Sequence, residues 1–312
     1  MVKKKLVLYV ALAALWGACG NDNESQPTAA PDGRTALTVK GEIGTKGASV
    51  SRAIDTDWGS NDKIGIFMVY SGNGVGLTLE NICDGADNKC YITPNGNGKF
   101  EPSVTPEEPG EVNTNRIYFP IIGTVDFYAY YPFVTPLTDY TCSLNIADQS
   151  NQEAIDFMYA DKGYTKNNPV VSFNFSHQLS KLVLTITPGD GLTAADLENL
   201  SVTVGGQHTT ATFNLSDGTL TAGAETTDIT LLTTKSGALY EAILLPDATT
   251  SRTLTFDLNN DNDLPFTWEM DKALAAGSKY TYDVKLHHTK IEITGATITE
   301  WTPVNGGGVD AH

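Results

Sequence analysis

The chain has 312 residues, 40% hydrophobic and 18% charged, with a formal net charge of −17. That length buries a sizeable core and accommodates two ordinary domains. The acid excess argues against a nucleic acid partner, because a phosphate backbone requires clustered Lys and Arg.

Residues 1–18 run from a basic start (Lys3, Lys4, Lys5) through the apolar stretch Leu6 to Leu15 and reach Gly17-Ala18. A charged beginning, a short apolar run and small residues before a cut describe a secretory signal peptide, too short to span a membrane. Cys19 follows the small pair directly, the position at which a bacterial lipoprotein is cut and acylated. The expectation is export and anchorage to the outside of a membrane through lipid on Cys19. Trp16 is unusual three positions before the cut, and an ordinary cleaved signal with an incidental cysteine is the alternative. Removing residues 1–18 takes away three lysines and no acid, so the formal charge falls from −17 to −20. Residues 19–34 are polar and read as a flexible tether.

From Thr35 onward the pattern is strand and turn. Leu37, Val39 and Ile43 share one parity of Thr35–Ile43, the period of a strand with one buried face. Ile64, Ile66 and Met68 fall on one side of the next run, with Phe67 and Val69 on the other, as in a strand covered on both faces. Phe127, Ala129, Tyr131 and Phe133 alternate with Tyr128 and Tyr130, which reads as a core strand in preference to a sugar-stacking platform. Tyr118–Ile122, Val170–Phe175, Leu182–Thr187, Leu200–Val204 and Ile229–Leu232 continue the series. Leu239–Leu245, Leu254–Leu258, Tyr280–Leu286 and Ile291–Trp301 complete it.

Turn residues part these runs at Asn95-Gly96-Asn97-Gly98, Pro109-Gly110, Ser216-Asp217-Gly218 and Asn259–Asp263. Helical signals are confined to Thr193–Glu198 and Asp271–Ala276. Many short strands with turns between them predict an all-β fold of two β-sandwiches in tandem. A break at Asp161–Pro169 puts one sandwich over 35–165 and the other over 166–312, the latter ending in a Gly-rich tail.

Cys83 and Cys90 lie in a turn-rich segment, at a spacing that a disulfide could close in an oxidising compartment. Cys142 is left over as a buried thiol in a strand. Signatures of catalysis are sparse. Ser60-Asn61-Asp62-Lys63 fits S-x-x-K without its companion Ser-Asp-Asn and Lys-Thr-Gly elements, and G-x-S-x-G, H-E-x-x-H and P-loop patterns are missing. His287 and His288 point to opposite faces of a strand, and His177 reads as a structural histidine. Asp257–Asp263 alternates oxygen ligands like the start of a calcium loop, but it lacks the sixth-position glycine and has Trp268 where the glutamate belongs. A hairpin turn is the better reading, so neither enzymatic activity nor a metal or cofactor is expected.

Several segments, taken in order, resemble the fimbrillin family, the outer-membrane-anchored pilins and tip adhesins of Bacteroidia. They are Arg52-Ala53 with Trp58 and Asp62–Met68; Val125–Pro132; Asp156–Ala160; Phe173–Leu182; Ala276–Tyr282; and Ala296–Trp301. The resemblance implies two transthyretin-like β-sandwich domains and no enzymatic activity. It implies assembly by strand exchange, in which a trypsin-like protease cuts after an arginine, removes the first strand, and another subunit fills the groove. The implied partners are other fimbrial subunits, the outer membrane through lipid on Cys19, and a host or bacterial surface receptor.

Carried onto this sequence, processing falls between Arg52 and Ala53, after the Gly/Ser-rich stretch Gly44–Arg52, where a loop would be open to proteolysis. The strand removed would be Thr35–Ile43, with Leu37, Val39 and Ile43 as its plug; cutting at Arg34 would leave it in place. At the other end Ile291, Ile293, Ala296, Ile298 and Trp301 would either form a donor strand or complete their own sandwich. A structural or adhesive subunit of a fimbria is the main expectation. The alternative is a monomeric surface lipoprotein that binds glycan or another ligand.

Overall fold

The computed structural model describes residues 33–44, 57–72, 76–104, 114–165, 169–235, 238–249, 251–260 and 264–301. Its first half holds strands β1 (Thr38–Ile43), β2 (Asp62–Tyr70), β3 (Lys89–Thr93), β4 (Lys99–Pro102), β5 (Thr124–Tyr131), β6 (Thr141–Asn145), β7 (Met158–Thr165) and β8 (Val170–His177). There follow β9 (Ser180–Pro188), β10 (Ser201–His208), β11 (Thr210–Asn214), β12 (Thr219–Ala222), β13 (Thr226–Thr230) and β14 (Leu232–Lys235). The last are β15 (Leu239–Leu244), β16 (Arg252–Asp257), β17 (Phe266–Met270), β18 (Ser278–His287) and β19 (Lys290–Glu300). The all-β class expected from the alternating pattern is what the chain adopts.

Seven strands, in the order β1-β4-β3-β2-β5-β7-β8, close into a barrel. Beyond it lie a five-stranded sheet, β14-β15-β9-β18-β19, and a four-stranded sheet, β13-β10-β16-β17. A three-stranded sheet, β12-β11-β6, joins β6 from the first half to β11 and β12 from the second. Asp161–Thr165 belong to β7, and β7 pairs antiparallel with β8 through Met158↔His177 and Tyr159↔Ser176, so the expected break at Asp161–Pro169 falls between two strands of the barrel. The chain leaves the barrel between His177 and Ser180 instead, so the break expected after residue 165 falls later.

The alternation in β2 and β5 separates two cores. Ile64, Ile66, Met68, Phe127, Ala129 and Tyr131 point into the barrel. Phe67, Val69 and Tyr130 point out and join a second core made with Leu182, Leu184, Phe213 and Val284. Strands covered on both sides carry apolar residues at both parities, and here the two halves of the chain share the covering.

Two expected elements take other forms. Tyr118–Ile122 gives only an isolated bridge, Ala36↔Tyr118, since Pro120 has no N–H for a ladder. Asp271–Ala276 is irregular backbone in which Leu274 bridges Asp247, while Ala194–Leu197 is a short 3-10 turn capped by Thr193 and Asp196. Cys83 and Cys90 are buried free thiols and do not form the expected bridge. They meet different groups: the Cys83 thiol lies against the Tyr70 hydroxyl, and the Cys90 thiol, on β3 opposite Gly65, lies against Ser103. Cys142 is buried in β6, as the sequence predicts.

Candidate functional site: the closing strand and the C-terminal edge

β1 is the strand that makes the barrel a barrel. It runs parallel to β8, from Thr38↔Val170 to Ile43↔Phe175, and antiparallel to β4 at Val39↔Phe100 and Lys40↔Lys99. Take it away and β4 and β8 both become open edges. Backbone bonds extend the seat at both ends. Leu37 N–H donates to Ile117 C=O at 2.9 Å, Thr38 N–H to Pro169 C=O at 2.9 Å, and Gly44 N–H to Phe175 C=O at 3.1 Å.

Its side chains plug the interior. Leu37, Val39 and Ile43 are 5%, 1% and 4% exposed, and each such burial contributes about 1.5–3 kcal/mol. Between Val39 and Ile43 the inward position is Gly41, because the space is taken by aromatic rings. A Cβ there would fall 2.8 Å from Phe100 Cε2, 3.2 Å from Phe175 Cε2 and 3.3 Å from Trp58 Cζ2. Trp58 packs edge-on to Phe100, Phe175 and Tyr131, and its indole N–H donates to Gly41 C=O at 2.8 Å. The glycine turn between β3 and β4 closes over the same point: Gly98, with φ +71°, accepts from Gly41 N–H through its carbonyl.

Cys19, Arg52 and Ala53 lie outside the described residues: Cys19 before residue 33, and Arg52 and Ala53 within 45–56, between β1 and the described stretch that carries Trp58. Arg34 is described: its guanidinium pairs with Asp84 at 3.2 Å and lies over the Tyr118 ring at 5.4 Å. No helix among the described residues is long and apolar enough to cross a membrane.

At the C-terminus β19 pairs with β18 from His287↔Lys290 to Ser278↔Glu300 and forms one edge of its sheet. Ile291 and Ile293 pack against the second core, whereas Ala296 is exposed and Ile298 is 51% exposed. Ile291–Trp301 therefore belongs to its own sheet here. Trp301 ends it: the side chain is buried, the ring stacks on His177, and the Lys181 ammonium stands 5.9 Å from the ring centroid.

Around Trp301 runs a buried polar seam that alternation does not flag. His177 Nδ1–H donates to Asp156 Oδ1 at 2.8 Å, with both side chains essentially inaccessible. Lys181 pairs with Glu241 at 3.6 Å. Gln149 accepts from Ile243 N–H at 2.8 Å and donates to Ile243 C=O at 3.0 Å, so a side chain from the first half continues the ladder of β15. Buried polar groups are mostly paired; of these bonds the one from Gln149 to Ile243 fastens one half to the other, and the buried His177 Nε2 has no hydrogen-bond partner among the described residues. Polarity alone gives no sign of such burial, although the Asp156–Ala160, Phe173–Leu182 and Ala296–Trp301 segments meet at it.

The remaining chemical candidates are occupied by structure. The Ser60 hydroxyl donates to Pro94 C=O rather than serving Lys63. His287 accepts from Asp190 N–H at Nδ1 and meets Glu292 through Nε2 at 3.1 Å. Asp257 Oδ1 accepts from Asn259 N–H at 2.8 Å, a local turn bond, and residues 261–263 of that loop lie outside the described set. Among the described residues no group of three His, Cys, Asp or Glu side chains is placed to hold a metal.

Residues 51–301 match the Fimbrillin-like family, and the chain belongs to it. A candidate fimbrium subunit of Bacteroides uniformis, Fim1C, is 35% identical over 99% of this chain and 98% of its own length. The crystal structure of a candidate cell adhesion protein from the same species is 32% identical, covering 88% of this chain and all of that one, with a TM-score of 0.71. A second candidate cell adhesion protein, from Bacteroides ovatus, has the same fold: TM-score 0.67 at 24% identity, over 86% of this chain and 98% of that one.

Proposed function

We propose that this chain is a structural and adhesive subunit of a cell-surface fimbria, and that it joins other subunits by exchanging β1 for a strand of a neighbour. Family membership and the full-length relative named as a fimbrium subunit support the fimbrial role. The observation that carries strand exchange is the position of β1. It is paired on both edges and buried on one face, yet it is joined to the rest of the barrel core only through residues 45–56.

On this reading the precursor is exported, acylated at Cys19 and held at the outer membrane. A trypsin-like cut between Arg52 and Ala53 frees β1 and severs the tether together. The vacated groove offers the edges of β4 and β8 to main-chain pairing, with pockets shaped for Leu37, Val39 and Ile43, so recognition is by strand addition. β19 stays with its own sheet, because donation would strip it from β18 and draw Trp301 out of the seam. The role is non-enzymatic: binding surfaces do the work, towards other subunits and a surface receptor.

The test is intact mass and N-terminal sequence of the protein retained on cells and shed from them, with Arg52→Ala alongside. A terminus at Ala53 without lipid, lost in the variant together with polymer formation, supports the reading. Acylated Cys19 as the sole terminus in polymer-forming cells would overturn processing at Arg52.

A further inference from the structure

At the end of the barrel where the described chain begins, large apolar side chains face solvent. Register defines this end. Thr38 starts β1 beside Val170 at the start of β8, and Thr124 starts β5 beside Thr165 at the end of β7. Ser71, just past β2, donates to Thr124 C=O at 2.9 Å. The segment 117–119 lies here too, since Leu37 N–H donates to Ile117 C=O and Phe119 N–H to Thr35 C=O, both at 2.9 Å. The next residue, Pro120, is buried, but Ile121 and Ile122 are 65% and 82% exposed. Val104 lies beyond β4, which runs antiparallel to β1 and so ends where β1 begins; it is 79% exposed. Scattered exposed apolar residues are ordinary, but adjacent ones gathered at one end of a fold mark a contact surface.

We propose that this end of the barrel rests on a lipid surface, with Val104, Ile121 and Ile122 entering the interface while the precursor is tethered. The inference rests on the reading of Cys19 as acylated. The described chain begins at Gly33, fourteen residues after Cys19, and that many residues reach at most about 50 Å in any conformation. The tether therefore holds this end of the barrel close to the headgroups. The second half leaves the barrel after His177, at the opposite end of β8. The formal charge of −20 left once residues 1–18 are removed works against attraction to an anionic surface, which leaves the contact to uncharged side chains. Tethering supplies a high effective concentration, so a contact too weak to recruit free protein is enough to orient a tethered one.

The lipoprotein, purified from cells with Ile122→Cys carrying a nitrobenzoxadiazole probe, is reconstituted into phosphatidylcholine vesicles. A twin carries the probe at Leu264→Cys, an 87% exposed site in the second half. The thiols at 83, 90 and 142 are buried and leave the probe to the introduced cysteine. The expected result is a blue-shifted emission at 122 and an aqueous one at 264. With the probe moved to Val104→Cys, the double change Ile121→Ser and Ile122→Ser should abolish the shift. An acylated protein whose probe at 122 keeps aqueous emission overturns the contact alone. An N-terminal peptide without acyl chains, read by mass on the same sample, overturns the anchor beneath it. A shift that appears only at high protein density assigns the loop to contact between copies and overturns the lipid assignment.

Discussion

The indole of Trp301 lies flat on the imidazole of His177, with 4.1 Å between ring centroids and 5° between planes. His177 ends β8 in the barrel, and Trp301 directly follows β19 at the edge of the five-stranded sheet. The stack thus fastens the last described strand to the first half of the chain. Backbone support comes from Trp301 N–H, which donates to Gly277 C=O at 2.6 Å.

Trp301→Ala should lower unfolding stability by about 3–5 kcal/mol, the range for deleting a fully buried large aromatic. The amides of Thr297 and Thr299 should exchange faster, because the strand end loses its anchor. Trp301→Phe should lie between the two. Urea unfolding and native-state hydrogen exchange read both effects; unchanged exchange near Thr299 in the alanine variant would mean that β18 alone holds the strand.

Arg252 is, like Lys181, a buried cation of the second half, 3% exposed. Its guanidinium donates to Gln207 Oε1, Lys272 C=O and Asp247 Oδ2, the last at 3.1 Å. Burial pushes the Asp247 carboxyl up, but the Thr249 amide and hydroxyl and the Arg252 charge outweigh it and leave the carboxyl below its ordinary value. A depressed carboxyl contributes stability that is fully present above the unfolded value and is lost as pH falls through the folded one. Asp247→Asn should therefore cost up to about 1.5–3 kcal/mol at pH 7, the worth of a hydrogen bond to a charged group. The difference from wild type should shrink in strong acid, below the folded value. Urea midpoints at pH 7 and in strong acid check this; a constant difference would assign the effect to packing.

Burial raises the thiols of Cys83, Cys90 and Cys142, the last to about 12. A thiol held protonated and out of solvent is a poor nucleophile. Native protein at pH 8 should resist iodoacetamide at all three, and denaturation should release them together. Intact mass with and without reductant tests the geometry as well. A gain of two hydrogens on reduction would mean that Cys83 and Cys90 leave Tyr70 and Ser103 and bridge in the exported protein.

What the sequence disclosed and what it concealed divides along local and non-local lines. The two parities of β2 and β5 were legible because each strand is covered on both faces, and alternation records a face directly. The glycine turn before β4 and the buried Cys142 were legible for equally local reasons. Turn residues near Gly163 and Asn167 announce a reversal, but not whether it parts two units or joins β7 to β8 inside one barrel. Nothing in Thr38–Ile43 names β4 and β8 as partners or makes the second pairing parallel. The seam was opaque for another reason: Gln149 and Asp156 are polar, and their burial depends on Ile243 and His177, far along the chain. The ordered resemblance to fimbrillins supplied the family, which no single pattern could.

Gly41 offers the sharpest test of how β1 sits. Any larger side chain there meets Phe100, Phe175 and Trp58, and those rings are fixed by edge-on packing around Trp58. Gly41→Val should therefore weaken the seating of β1 by about 1–3 kcal/mol, the cost of overpacking a filled core. Each 1.4 kcal/mol is tenfold, so retention should fall by about 5- to 150-fold. Glu42 alternates to the less buried side of β1, and Glu42→Gln serves as the control. The measurement is limited arginine-specific digestion of the folded precursor, followed by gel filtration and mass of the barrel peak. In wild type and Glu42→Gln the cleaved segment should stay with the barrel until a competing peptide of residues 35–44 or denaturant displaces it. In Gly41→Val it should elute alone. Equal retention in all three would mean that the rings give way and that the glycine is not what admits the strand.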